Sequence, residues 1–143
     1  MRFLPLVSLS LALSAAMAAF GQGGPIRPLA NDFVVVGESP DATTTSLYTP
    51  SIERLPSGRL VASYTQTNRR AKIGVTHLVT SDDGGRTWTR RATSPTNQGR
   101  LFRSGDSVYY IATRFFLGPG SNPKGEPLCI QRSRDQGETW SEP

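Results

Sequence analysis

From residue 33 onward, short runs of β-branched and aromatic residues alternate with clusters of Gly, Pro, Ser, Asn and Asp. No stretch there carries the 3.6-residue apolar period of an amphipathic helix, so the pattern predicts strands and turns throughout. Phe33-Val34-Val35-Val36-Gly37 reads as a short strand, and Glu38 to Ser46 as a polar turn. A first set of four strands follows: Pro50–Leu55, Leu60–Thr65, Ile73–Thr80 and Trp88–Ala92. Pro56-Ser57-Gly58-Arg59 joins the first two, with Pro at the first turn position and Gly later, as a hairpin requires. A basic loop, Thr67–Lys72, precedes the third. The plan then recurs with Arg100–Arg103, Ser107–Phe116 and Leu128–Arg132, the last two separated by a long Gly/Pro loop, Leu117–Pro127.

The recurrence is sharpest at the turns that end each third strand. Ser81-Asp82-Asp83-Gly84-Gly85-Arg86-Thr87-Trp88 and Ser133-Arg134-Asp135-Gln136-Gly137-Glu138-Thr139-Trp140 both read Ser-x-Asp-x-Gly-x-Thr-Trp, and they begin 52 residues apart. A fixed period of that size is the signature of a repeat architecture. Ser and Asp side chains can accept hydrogen bonds from nearby backbone N–H groups and so hold a tight turn. Gly85 and Gly137 suit a positive φ, and the Trp offers a large face to bury. Ser81, Asp83, Gly85, Thr87 and Trp88, with Ser133, Asp135, Gly137, Thr139 and Trp140, are therefore expected to be structural, and Asp83 and Asp135 poor candidates for catalysis.

This octet resembles the Asp-box, or BNR repeat, of the sialidase-like β-propellers, and the Trp140–Pro143 sequence Trp-Ser-Glu-Pro adds to the likeness. The resemblance implies an all-β, sialidase-like β-propeller of four-stranded blades around a central channel. At one blade per period the chain holds about two blades of an expected six. Blade 1 falls at about 47–93 and blade 2 at about 98–143, the second cut before its last strand, so the propeller within 33–143 is incomplete. Two blades leave an open edge and an unburied face, and such a piece alone is expected to be marginal or aggregation-prone.

Ahead of the propeller, Arg2 precedes an apolar run from Phe3 to Ala19 whose polar residues are serines, and Ala16-Met17-Ala18 supplies the small-x-small pattern for cleavage. Residues 1–18 read as a signal peptide and 19–32 as a Gly/Pro-rich leader, which implies a secreted or periplasmic protein. The run is short for a membrane-spanning helix, which needs about 20 apolar residues, and no membrane association is expected once it is removed. The 143-residue chain has one cysteine, Cys129, so no disulfide or multi-cysteine metal site forms within it. Set in Leu128-Cys129-Ile130, the thiol reads as a buried core group. The net charge of +5 is scattered, with no basic run longer than Asn68-Arg69-Arg70-Ala71-Lys72, and argues against nucleic-acid binding. His77 lacks a second ligand at metal spacing. No Ser/His/Asp triad is recognisable, Gly118-Pro119-Gly120 makes no phosphate cradle, and no cofactor is implied.

Numbering strands one to four within a blade, the Asp-boxes are three–four turns and lie on one face. The two–three loops and the links between blades lie on the other. A central pocket there would be lined by Leu47-Tyr48-Thr49, Asn68-Arg69-Arg70, Thr96-Asn97-Gln98 and Arg114. Tyr48, Arg69, Arg70, Gln98 and Arg114 are the substrate-binding candidates. The bland alternatives are packing at a strand start for Tyr48, solvated charge for Arg69 and Arg70, and pairing with an acid for Arg114. The family resemblance implies the same face. In sialidases an Arg-Ile-Pro motif supplies one of three arginines that clamp a substrate carboxylate in bidentate fashion. An Asp of the first two–three loop is the acid/base, and a Tyr activated by a Glu is the nucleophile. Aligning Pro50 with that motif puts Tyr48 at the arginine's place, and Thr67–Lys72 contains no Asp or Glu, so no catalytic residue is assigned. The expected function is glycan processing of the exo-α-sialidase or exo-acting glycoside hydrolase type, with the fragment itself inactive. The alternative is a non-catalytic Asp-box propeller that binds a glycan, glycoconjugate or protein.

Overall fold

The computed structural model describes residues 33–70, 73–114 and 127–143, and the expected signal peptide and leader lie outside them. All strands belong to the unit Val34–Pro143, which is distinct from Met1–Phe33. Among the described residues there are strands and no helices. β1 (Thr45–Arg54), β2 (Leu60–Asn68), β3 (Ile73–Ser81) and β4 (Thr89–Ser94) form one antiparallel sheet in that order. β5 (Thr96–Ser104), β6 (Ser107–Arg114) and β7 (Leu128–Ser133) form a second. After β7 the chain turns through the second octet, and the Ser141 amide donates to the Arg132 carbonyl at 2.9 Å, so the return path begins beside β7.

Register decides which side chains share a face. Ser63 pairs with Leu78, and Leu78 with Ala92, so these three point the same way. In the second sheet Leu101 pairs with Tyr110, and Tyr110 with Gln131. The two inner faces meet in one core of Leu55, Val61, Leu78, Leu101, Val108, Tyr110 and Ala112, against which Ala92 and Trp140 pack. Val61 and Leu78 have no exposed surface, and each such aliphatic side chain stabilises the fold by about 1.5–3 kcal/mol.

Most strand positions follow from the alternation, but β1 starts at Thr45, inside the expected Glu38–Ser46 turn, β2 runs to Asn68, into the expected basic loop, and two further segments differ. Val34–Gly37 makes no ladder and is not a strand. Its backbone instead passes close to the Tyr64 ring, where a Cβ on Gly37 would lie 2.5 Å from Cζ. Thr96-Asn97-Gln98, expected in a link, already belongs to β5. Each first strand also carries a bulge: the register of β1 shifts between Tyr48 and Ser51, and that of β5 between Asn97 and Arg100. Inside these bulges Thr49 has φ 49° and Gln98 φ 53°, a left-handed backbone on residues that carry a Cβ. Cys129 is half-buried rather than buried: it pairs with the buried Ala112 on the core side of β7, while its neighbours Leu128 and Ile130 face outward and are exposed. Its thiol donates to the Ala112 carbonyl at 3.3 Å.

Candidate functional site

The octets are closed hydrogen-bond circuits. In the first, the Gly85 amide donates to Ser81 Oγ at 2.9 Å, and that hydroxyl donates to Asp83 Oδ1 at 2.8 Å. The same Oδ1 accepts the Thr87 amide at 2.9 Å, Oδ2 accepts Thr87 Oγ1 at 2.6 Å, and Trp88 Nε1 reaches the Gly85 carbonyl at 2.9 Å. The second repeats each bond: Gly137 to Ser133 at 2.8 Å, Ser133 to Asp135 at 2.8 Å, Thr139 amide and hydroxyl to Asp135 at 2.9 and 2.5 Å, and Trp140 to Gly137 at 3.1 Å. Gly85 and Gly137 have φ 94° and 90°. The Thr139 hydroxyl and amide hold the Asp135 carboxyl down to about 2, and Thr87 pushes that of Asp83 further below the usual carboxylate range. Both stay ionised and each accepts three hydrogen bonds inside its own turn, which leaves no proton to give and makes each a weak base.

Arg59, in the β1–β2 turn, ties the two octets together. Its Nε and Nη2 fork onto Asp82 at 2.5 and 2.8 Å, and its Nη1 reaches Glu138 Oε1 at 2.5 Å. Arg91 holds the other oxygen of Glu138 at 2.8 Å. The Asp82 contact, above all, raises the Arg59 guanidinium well above its ordinary range. Nothing local in the sequence marks this residue, since its partner Glu138 lies 79 positions away.

The opposite face carries the sequence-derived candidates. Thr45 at the start of β1 pairs with Asn68 at the end of β2, and Asn68 with Ile73, so strand-one starts and the two–three loop share that face. Tyr48 is half-buried, with its hydroxyl 2.8 Å from Thr67 Oγ1. Arg69 is exposed; its amide continues the ladder to the Thr44 carbonyl at 2.9 Å, and its Nε donates to Ser46 Oγ at 2.6 Å. Tyr48 and Arg69 line one open depression of about 550 Å³ with Ala42, Thr45, Ser46, Leu47 and Thr67. Arg70, Gln98 and Arg114 are exposed and do not line it. Among the described residues the Arg70 amide donates to Asn68 Oδ1 at 3.0 Å and the Arg114 amide to the Pro127 carbonyl at 3.0 Å. Among the described residues no acidic one lines the depression. Nearby Asp41 is held at about 2 by the hydroxyls of Thr43 and Thr44 and the Thr43 amide, and is an anchored carboxylate rather than a proton donor.

Tyr48 also borders an apolar groove of about 610 Å³ between Val34–Gly37 and the outer face of the first sheet, with Leu47, Pro50, Ile52, Ala62 and Tyr64 along it. His77 lies on that side, its ring centroid 5.0 Å from that of Tyr64 and its Nε2 3.1 Å from Gln66 Oε1. Burial, and then the charge of Arg90, lower its pKa. Among the described residues no group of three His, Cys, Asp or Glu side chains is placed to hold a metal ion.

The model of the BNR/Asp-box repeat family matches residues 79–90 and 131–142, the segments that contain the two closed circuits. The chain carries two BNR/Asp-box repeats. One lies in the turn after the third strand of each of two consecutive antiparallel sheets, the all-β arrangement of an incomplete β-propeller. Among solved structures, a protein of unknown function from Dyadobacter fermentans DSM 18053 is similar at a TM-score of 0.50 and 24% identity, over 64% of this chain and 25% of that one. Trypanosoma rangeli sialidase aligns at a TM-score of 0.47 and 18% identity, over 62% of this chain and 13% of that one. The chain thus spans about a quarter of the first structure and about an eighth of the second. No curated protein matches the chain.

Proposed function

We propose that this Asp-box chain is an exported glycan-processing protein of the exo-acting glycoside hydrolase type, and that its described residues serve recognition of an acidic sugar rather than bond cleavage. The observation that carries this reading is the Arg69 depression. A guanidinium is held by Ser46 through one nitrogen, lines the same depression as Tyr48, and meets no carboxylate among the described residues. A planar fork in that state suits a carboxylate or sulfate ester on a sugar, and a tyrosine face suits the apolar side of a pyranose ring. Hydrolysis needs an acid/base and a nucleophile, and neither Asp-box carboxylate is free to serve. Export rests on the Phe3–Ala19 run and Ala16-Met17-Ala18.

Calorimetric titration of the purified chain with 3′-sialyllactose and with lactose tests the reading. Binding of the acidic trisaccharide alone, weakened by salt and lost in Arg69→Ala, is the expected result, with no free sialic acid released. Equal binding of both sugars would sink the acidic-sugar reading. Release of sialic acid, abolished by Arg69→Ala or Arg114→Ala, would show that the chain itself cleaves. N-terminal sequencing of the exported protein checks the expected cleavage, which leaves Ala19 first.

A further inference from the structure

Both first strands hold a left-handed, non-glycine residue at the same place in their bulge, Thr49 and Gln98. Threonine is branched at Cβ, so this backbone is strained and persists only where its surroundings fix it. Between the two bulges runs a buried chain of hydroxyls. Thr76 Oγ1 donates to the Thr96 carbonyl at 2.7 Å, because a carbonyl can only accept. Its single proton is then used, so the Tyr110 hydroxyl at 3.2 Å and Thr65 Oγ1 at 3.2 Å both donate to Thr76. With the Thr65 proton also used, the 3.0 Å contact between Thr49 and Thr65 is donated by Thr49. Each proton therefore has one allowed direction, from the β1 bulge and from Tyr110 through Thr76 to the start of β5. Thr65, Thr76 and Thr96 have no exposed surface and Tyr110 has 1%, so water cannot replace a lost member.

The second bulge is shaped by the same tyrosine. A Cβ on Gly99 would sit 2.2 Å from the Tyr110 hydroxyl oxygen, so the backbone beside Gln98 can approach only as glycine. The Thr96 hydroxyl itself is spent on Ser94 Oγ at 3.0 Å. One end of the chain thus fixes Thr49, next to Tyr48, and the other fixes the segment that presents Gln98.

We infer that Tyr110 and Thr65 are positioning residues which hold the two strand-one bulges as one unit, so that Tyr48 on the first sheet and Gln98 on the second are set together. That the unit serves a ligand rests on the reading of this face as a sugar site; the coupling of the bulges does not.

The test uses the full chain, labelled with ¹⁵N and ¹³C, and reads the HN–Hα coupling constants and shifts of Thr49 and Gln98. Tyr110→Phe and Thr65→Val are each expected to move both residues. Thr65→Ser, which keeps the hydroxyl, is expected to move neither. Thr113→Val removes a hydroxyl that bonds the Asn97 carbonyl at 3.1 Å outside the chain, and is expected to perturb the second bulge alone. Two results overturn the coupling: Tyr110→Phe moving only Gln98 with Thr65→Val moving only Thr49, or both leaving the two residues unchanged. Should Tyr110→Phe fail to fold, the Thr65 pair decides alone. Titration with 3′-sialyllactose is the separate arm, and a fall in affinity of several-fold in Thr65→Val is expected. If the unaltered chain binds no sialoside while both bulges respond, the sugar reading fails and the coupling stands.

Discussion

Gly137→Ala isolates the docking of the second Asp-box on the first sheet. Three glycines in turns share almost the same backbone: Gly58 at φ 90°, Gly85 at φ 94° and Gly137 at φ 90°. Alanine in a left-handed conformation costs about 1–2 kcal/mol at any of them. The change in unfolded-chain entropy is the same for all three and cancels in comparison. What differs is the space. A Cβ on Gly58 meets nothing within 4 Å, and one on Gly85 meets Leu60 and Trp88 at 3.4 and 3.6 Å, which is ordinary contact. On Gly137 it meets methyls of Thr80 and Val61, each at 3.1 Å. Both neighbours are branched and buried in the first sheet and cannot swing aside, so overpacking adds about 1–3 kcal/mol. Gly137→Ala should therefore cost about 2–5 kcal/mol, against about 1–2 for Gly58→Ala and Gly85→Ala. Urea unfolding followed by far-ultraviolet circular dichroism reads the difference. At an m of roughly 2 kcal/mol/M, the Gly137→Ala midpoint should fall about 1 M below that of Gly58→Ala. Equal midpoints for the three variants would refute the packing of the second turn on Val61 and Thr80.

Arg59→Ala should lower stability at low salt, and the loss should shrink as salt rises, because Asp82 and Glu138 are partly exposed and screened; Arg59→Lys should restore it incompletely for want of the fork onto Asp82, as thermal midpoints at two salt concentrations will show. His77 has its pKa lowered by burial, so its contribution is complete above about 6.5 and is lost as the pH falls from there through the folded value; His77→Gln should flatten that segment of the stability–pH curve. Asp135 is lowered from 3.8 to about 2, so its contribution is present above 3.8 and lost between there and about 2, and Asp135→Asn should remove that acid-side slope. Ser133→Ala should leave the Gly137 amide without its acceptor and cost about 1–3 kcal/mol in urea unfolding.

The Asp-box turns were readable from the octets because every bond in them closes within eight residues, and Ser, Asp, Gly and Thr each have a local reason to be there. The placement of the two faces followed from strand order alone. Other features depend on partners far along the chain. Thr49 and Gln98 carry no glycine to announce a left-handed bulge, and the surroundings that hold Thr49 come from β2 and β3. Arg59 looks like any turn arginine until the fold brings Glu138 to it. Val34-Val35-Val36 has strong β-propensity, yet that preference reports half-buried packing rather than a partner strand, and the segment covers Tyr64 instead. Of the site candidates, the fold brings Tyr48 and Arg69 into one depression, because β1 begins where β2 ends. Arg70, Gln98 and Arg114 share the face without lining that depression.

The central claim is that the Asp-boxes are structural and that ligand meets the opposite face. Amide shifts of the labelled chain during titration with 3′-sialyllactose test it most directly. Perturbations gathered on Ser46, Tyr48, Thr67 and Arg69, with the octets unmoved and binding retained in Asp83→Asn, are the predicted result. Perturbations centred on Ser81–Trp88 or Ser133–Trp140, with Arg69→Ala binding as well as the unaltered chain, would contradict the account.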